Sequence, residues 1–220
     1  MKIPSVLALS SSALLFLSSC GEMSSTAFNS SSGGIHTFSG KKSSFARGGS
    51  GFHPSEVSSV SLARTKGLPR DKHGMPTYSD KARSRVVRTT AYSHEENEPG
   101  APWRKNAIGT YLKYGQVRSA AADWSRYPVG TKFKIKGLPY TYIVDDYGSA
   151  LAGTNTIDIY HPTLTSMRRW GTRKAEISVI QWGDWDRTLN ILAGRRKYPH
   201  TRQMYYAAKA KVDSGRVARN

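Results

Sequence analysis

The stretch Ile143-Val-Asp-Asp-Tyr-Gly-Ser-Ala-Leu-Ala-Gly-Thr-Asn-Thr-Ile-Asp-Ile-Tyr160 reads as strand, turn, strand. Tyr140 to Val144 is aromatic and β-branched, and Ile157 to Tyr160 is a second short run of that kind. Between them Gly148, Gly153 and Asn155 tolerate the backbone angles of tight turns. Both runs carry carboxylates: Asp145 and Asp146 close the first, and Asp158 interrupts the second. Strand alternation puts Asp158 on the face opposite Ile157 and Ile159. Period alone reads that face equally well as simply wet or as occupied by something.

Working outward, Ala120-Ala-Ala-Asp-Trp-Ser-Arg-Tyr-Pro-Val-Gly-Thr131 places Asp123 just before a Pro-Val-Gly turn, and Thr90-Ala-Tyr-Ser93 and Gly109-Thr110 precede it. In this order the pieces resemble the bacterial 3D domain, named for its three aspartates. The matching residues are Asp123 with Pro128, Gly130 and Thr131; Asp146 with Gly148, Ala150, Leu151 and Gly153; Asp158 with Ile157 and Tyr160; and Trp170-Gly171. The resemblance covers about residues 86 to 182. It departs in one place: from Gly153 to Asp158 the chain is one residue longer than the family spacing, which would displace Asp158 relative to Asp146.

The flanks divide the chain into segments. Residues 1–20 read as an export signal, with Lys2 followed by an apolar run from Val6 to Leu17 that is shorter than the ~20 residues needed to span a bilayer. It ends Leu17-Ser-Ser-Cys20, which resembles a lipoprotein lipobox, so Cys20 is the expected lipidation site. As the single cysteine, it leaves no intrachain disulfide framework. Residues 21–83 shift to Ser, Gly and basic residues with no sustained periodicity, the composition of a disordered tether.

A folded domain is expected over 84–183. Strands are read from Arg85 to Tyr92, Lys113 to Ala121, Thr131 to Ile135 and Ala175 to Val179, besides the two above. One short helix follows Pro162, with Thr163 as N-cap and Gly171 as stop. Many short strands and one helix make a mainly β, small-barrel pattern, and the resemblance sharpens this to a double-psi β-barrel. Residues 184–220 form a basic, partly helical extension with nine Lys/Arg against three Asp.

A formal net charge of +18 draws polyanions in general. Interleaved Tyr and Trp would suit nucleic acid, but the export signal and the lack of any nucleic-acid motif exclude it as the expected partner. Cell-wall polymers and anionic lipid remain. No EF-hand or zinc spacing is present and no nucleophile elbow occurs, so neither a metal nor another cofactor is expected.

The resemblance implies a chemistry. Barrels of this kind occur in membrane-bound lytic transglycosylases, which cleave peptidoglycan and leave 1,6-anhydro sugars. On that reading Asp158 is the acid/base, its pKa raised by repulsion from a second carboxylate and by desolvation, Asp146 the neighbour that tunes it, and Asp123 the third member, ordering the loops around them. Thr110, Tyr147, Trp103 and Trp124 would contact substrate, the aromatic rings by stacking on sugars. The anchor and partner follow: a lipoprotein at the outer membrane facing the periplasm, acting on glycan strands. A non-catalytic glycan-binding barrel is the competing expectation, favoured by the extra residue before Asp158 and by the lack of an obvious second domain to complete a sugar groove. Oligomeric state has no signal in the sequence.

Overall fold

The computed structural model describes residues 53–96 and 104–218. The signal segment, Cys20, most of the tether and Trp103 lie outside the described residues. Six strands form: β1 (Ser84–Tyr92), β2 (Val117–Ala122), β3 (Lys132–Ile135), β4 (Thr141–Asp146), β5 (Thr156–Tyr160) and β6 (Arg173–Gln181). They close into a barrel in the order β1-β5-β2-β4-β3-β6. β5 slots between β1, to which it runs parallel, and β2, to which it runs antiparallel. β4 slots between β2 and β3 in the same sense. Twice a later strand lies between two consecutive earlier ones, which is the interlocked crossing that the double-psi reading anticipates.

The interior follows from period-two alternation. Phe133 and Ile135, Tyr142 and Val144, Ile157 and Ile159, and Ala175, Ile177 and Val179 all point into one buried cluster. Closure leaves no free sheet edge among these strands. The helix α2 after β5 is bounded as its caps suggested. Thr163 accepts a hydrogen bond from the Ser166 backbone N–H, and Gly171 ends the helix at φ 61°, a left-handed angle that glycine adopts without strain. It spans Leu164–Trp170.

Two segments read as flanks are packed instead. Residues 53–83, assigned by composition to the tether, belong to the same compact unit as the barrel. They include a short helix, α1 (Ser59–Ala63), and a buried Met75. Their attachment is mostly polar: Asp71 accepts from the Asn155 N–H at 2.5 Å, and the Asn155 side chain donates to the Pro76 carbonyl at 2.9 Å. Polar anchors of that kind leave no trace in hydrophobicity. The basic extension forms α3 (Trp185–Ala193) and α4 (Pro199–Asp213). From these helices Leu192 and Met204 enter the barrel's own core cluster, and Thr188 accepts from the Val129 N–H at 2.9 Å.

Gly183, at the junction, shows why the chain must be bare there. A Cβ added at that residue would collide with the carbonyl oxygens of Pro128 and Val129 and with the Thr131 nitrogen. The Pro-Val-Gly turn and the start of the extension are therefore locked together. This geometry predicts that the extension carries stability. Met204→Ala should cost about 2–5 kcal/mol by urea unfolding, the range for emptying a buried Met site. It would also take the Sδ acceptor from the Trp124 N–H, which lies 3.4 Å away. A loss within a few tenths of a kcal/mol would show that the tail merely decorates the barrel.

Candidate active site

Register places the carboxylates. On β5, Asp158 is opposite Thr90 of β1 on one side and Ala121 of β2 on the other. Ala121 in turn pairs with Asp146 of β4, because the β2/β4 register shifts between Ala120 and Ala121. That bulge decides which of the two adjacent aspartates faces outward. Asp146 is half-exposed on the same row as Asp158, and Asp145 is driven into the interior. The two outward carboxylates stand one strand apart across Ala121, a backbone separation of roughly 9–10 Å from strand spacing. The extra residue after Gly153 therefore does not push Asp158 out of their common row.

Asp158 is half-buried and accepts a hydrogen bond from the Thr90 hydroxyl at 2.7 Å. Burial raises its pKa from 3.8 to about 6, with Glu96 adding to the rise while Thr90 and Arg88 oppose it. Asp146 reaches about 6 as well, again chiefly by burial. It accepts from the Ala107 N–H at 3.1 Å, from its neighbour Tyr147 N–H at 2.9 Å and from the Tyr92 hydroxyl at 3.2 Å. Of the two causes the sequence reading named, repulsion and desolvation, desolvation is the larger for both carboxyls. Tyr92 sits among the acids: burial first, then Asp146, Asp145 and Asp158, hold its hydroxyl protonated well above the usual phenol range.

The other expected residues divide. Asp123 is buried beneath the row with both oxygens committed: Oδ1 accepts from the Ser125 N–H (2.8 Å) and hydroxyl (2.6 Å), and Oδ2 from the Gly153 N–H (2.6 Å). It ties the loop after β2 to the loop before β5 and has no oxygen to spare for a reaction. Trp124 is 0 % exposed, its indole N–H donating to the Asp146 carbonyl at 2.8 Å, so it supports the site from within the core and cannot stack on a sugar. Tyr147 is half-buried edge-on to Trp124 at 4.9 Å, with its hydroxyl accepting from Arg195 at 3.1 Å. Thr110 is exposed and closes a turn with Asn106, its N–H donating to Asn106 Oδ1 at 3.0 Å. That turn carries the Ala107 N–H to Asp146.

Several contributors went unassigned in the sequence. Thr90 and Tyr92 were visible as part of Thr90-Ala-Tyr92, and alternation along β1 puts both on one face. Arg195, from the turn after α3, donates to the Ala107 carbonyl at 2.7 Å and so holds the site loop from the far end of the chain. Asp145 is fully buried, its Oδ2 accepting from Lys113 Nζ at 2.8 Å and the Ser119 hydroxyl at 2.9 Å.

The fold and site thus define a six-stranded crossed barrel that displays two high-pKa carboxyls on its outer face. Residues 118–181, which hold Asp123, Asp146 and Asp158, match the 3D domain family. The chain is also 35% identical over 75 residues to the protein named "Putative cell wall shaping protein YabE" from Bacillus subtilis (strain 168). That similarity covers 34% of this chain and 18% of the relative, so the chain spans under a fifth of the relative's length.

The raised pKa values carry a linkage with a definite sign. The folded state holds protons on Asp158 and Asp146 that the unfolded state releases between 3.8 and about 6, so stability falls as pH rises through that window. Asp158→Asn removes one such cost while keeping an acceptor for Thr90. At about pH 7 the variant should be more stable than the parent by on the order of 1–3 kcal/mol in denaturant unfolding. The difference should close below the ordinary carboxyl pKa. A variant less stable at neutral pH would contradict a desolvated acid.

Proposed function

We propose that this protein acts on peptidoglycan, cleaving its glycan strands by lytic transglycosylation with Asp158 as the acid/base. The observation that carries the reading is Asp158 itself: a half-buried carboxyl with a pKa of about 6 on the barrel's outer face. The 3D domain match and the cell-wall name of the relative support the substrate class.

The chemistry needs one group that gives a proton and takes it back. Protonated Asp158 donates to the glycosidic oxygen as the C1–O bond breaks and positive charge builds at C1. The carboxylate left behind accepts the proton of the muramic 6-hydroxyl while that oxygen bonds to C1. No water is consumed, and the product is a 1,6-anhydro sugar. Asp146 serves as a positioning residue, holding Tyr92, the Ala107 loop and its neighbour Tyr147 through three accepted hydrogen bonds.

The test is digestion of purified sacculi by the full chain, with mass spectrometry of the released fragments. Anhydro-muropeptides should appear, and Asp158→Asn should lower their rate by at least ~10²-fold, the lower end for removing a general acid–base. Binding to sacculi with no fragments released would point to the non-catalytic barrel. Unchanged release by a folded Asp158→Asn protein would refute the mechanism.

The envelope location goes with a lipid on Cys20, motivated by the Leu17-Ser-Ser-Cys20 run. Cys20→Ala should abolish labelling by a fatty-acid probe and move the protein to the soluble fraction. Labelling that persists would remove the anchor from this account.

A further inference from the structure

A cavity of about 530 Å³ opens where the segment before β1, the loop after β2 and α4 meet. The first gives it Thr77 to Lys81, the second Ser125 and Arg126, and α4 with the residues after it Lys211 and Arg216. Five cationic side chains line it, Lys81, Arg85, Arg126, Lys211 and Arg216, against one carboxylate, Asp80.

That carboxylate is already shared. Asp80 Oδ1 accepts from Lys211 Nζ, and Oδ2 lies 3.9 Å from Arg216 Nε. Asp123, which does not line the cavity, lies 3.8 Å from Arg126 Nε, but its oxygens are committed to Ser125 and Gly153. Lys81 is exposed and forms no ion pair among the described residues. Arg85 is 5 % exposed, donating to the Ala82 carbonyl at 2.8 Å and the Ser79 carbonyl at 3.1 Å, with its guanidinium 5.0 Å from the ring centroids of Tyr127 and Trp182. Arg126 donates to the Gly153 carbonyl at 3.2 Å and the Thr77 hydroxyl at 3.3 Å. Carbonyls, a hydroxyl and rings, more than counter-charges, fix these two guanidinium groups.

Gathering like charges in a part-buried cavity is unfavourable. The cost is visible at Lys211, whose side chain is 16 % exposed. Burial first, with Arg126 adding, holds its ammonium below the usual lysine range, although Asp80 and Asp123 oppose. An anion entering the cavity relieves that cost, and the number of cations indicates which anion. A carboxylate brings one charge and two acceptor oxygens. A phosphate group brings about 1.5 to 2 charges at pH 7 and three acceptor oxygens, enough to meet cations supplied by several chain segments. Arginine forks and lysine ammonium groups are both common partners of phosphate oxygens. The volume exceeds that of a phosphate alone and leaves room, beside Tyr78 and Ala207, for the group that bears it.

We propose that the cavity lined by Lys81, Arg126, Lys211 and Arg216 is a binding site for a phosphate group, carried by a soluble phosphate ester or by a phospholipid head group. It shares no lining residue with the Asp158–Asp146 row, and it rests on charge and shape, independently of the peptidoglycan reading.

The test follows the melting temperature of the full chain at constant ionic strength, since a ligand of the folded state raises it saturably. Inorganic phosphate at about pH 7.5 should do so, and acetate should bind at least about tenfold more weakly, as expected for losing a charge-assisted hydrogen bond. Lys81→Gln combined with Arg216→Gln, both at exposed positions, should weaken phosphate by a similar factor. The charge-matched pair Lys134→Gln and Lys174→Gln, exposed on β3 and β6 and outside the cavity, should leave it unchanged, which separates the site from the general effect of salt and net charge. Equal binding of phosphate and acetate, equal weakening by the two pairs, or no saturable rise with phosphate would each overturn the proposal. Sedimentation of the Cys20→Ala chain with phosphatidylglycerol vesicles then identifies the source. Sedimentation reduced by the Lys81/Arg216 pair alone assigns a lipid head group, and sedimentation reduced equally by both pairs assigns a soluble ester.

Discussion

The bond on which the outer face depends is the one from the Gly153 N–H to the buried Asp123, 2.6 Å long. It fixes the point from which the chain enters β5, and everything displayed by β5 follows from that entry. Two residues later the Asn155 side chain accepts from the Tyr127 hydroxyl at 2.5 Å and donates to the Pro76 carbonyl at 2.9 Å. Thr154 and Asn155 are both wholly buried there. Because side chains alternate, a one-residue slip would send Asp158 into the core and Ile157 and Ile159 into solvent. The two isoleucines, both wholly buried, and the Asp123 bond therefore enforce the same register from opposite ends.

Given that register, the acid's character comes from its surroundings. A carboxyl on an exposed strand would titrate near its ordinary value. Here the Ala107–Thr110 turn, held by Arg195 from beyond the barrel, and the rings of Tyr92 and Tyr160 remove solvent from the row. Burial raises both outward carboxyls, and the bulge at Ala120/Ala121 spares the surface a third by turning Asp145 inward onto Lys113. The segments that make this enclosure come from sequence positions far apart, which is why the basic extension and the 53–83 segment belong to the site's architecture.

Much of this was legible because it is local. Alternation in Phe133–Ile135 and Ile157–Ile159, the Thr163 cap and the Gly171 stop are written within a few residues, and each element formed where they indicate. The outward placement of Asp158 needed only its two neighbours. What sequence could not supply was partnership over distance. Trp124 reads as readily as a sugar platform as a core residue, and only the barrel's closure puts it inside. Residues 53–83 have few apolar side chains, so composition assigned them to a tether, whereas Asp71 and Ser55 attach them by single hydrogen bonds. Leu192 and Met204 are ordinary apolar residues in a basic tail until their partners in the barrel are known.

The central claim is that the Asp158 carboxyl is a desolvated acid, protonated to higher pH than an ordinary aspartate by burial and not by its neighbour Asp146. Its side-chain ¹³C resonance, followed through a pH titration in the parent and in Asp146→Asn, tests this directly. The account predicts a midpoint at about 6 in the parent and little change when Asp146 is neutralised. A midpoint near the ordinary 3.8, or one that falls to that value in Asp146→Asn, would contradict it.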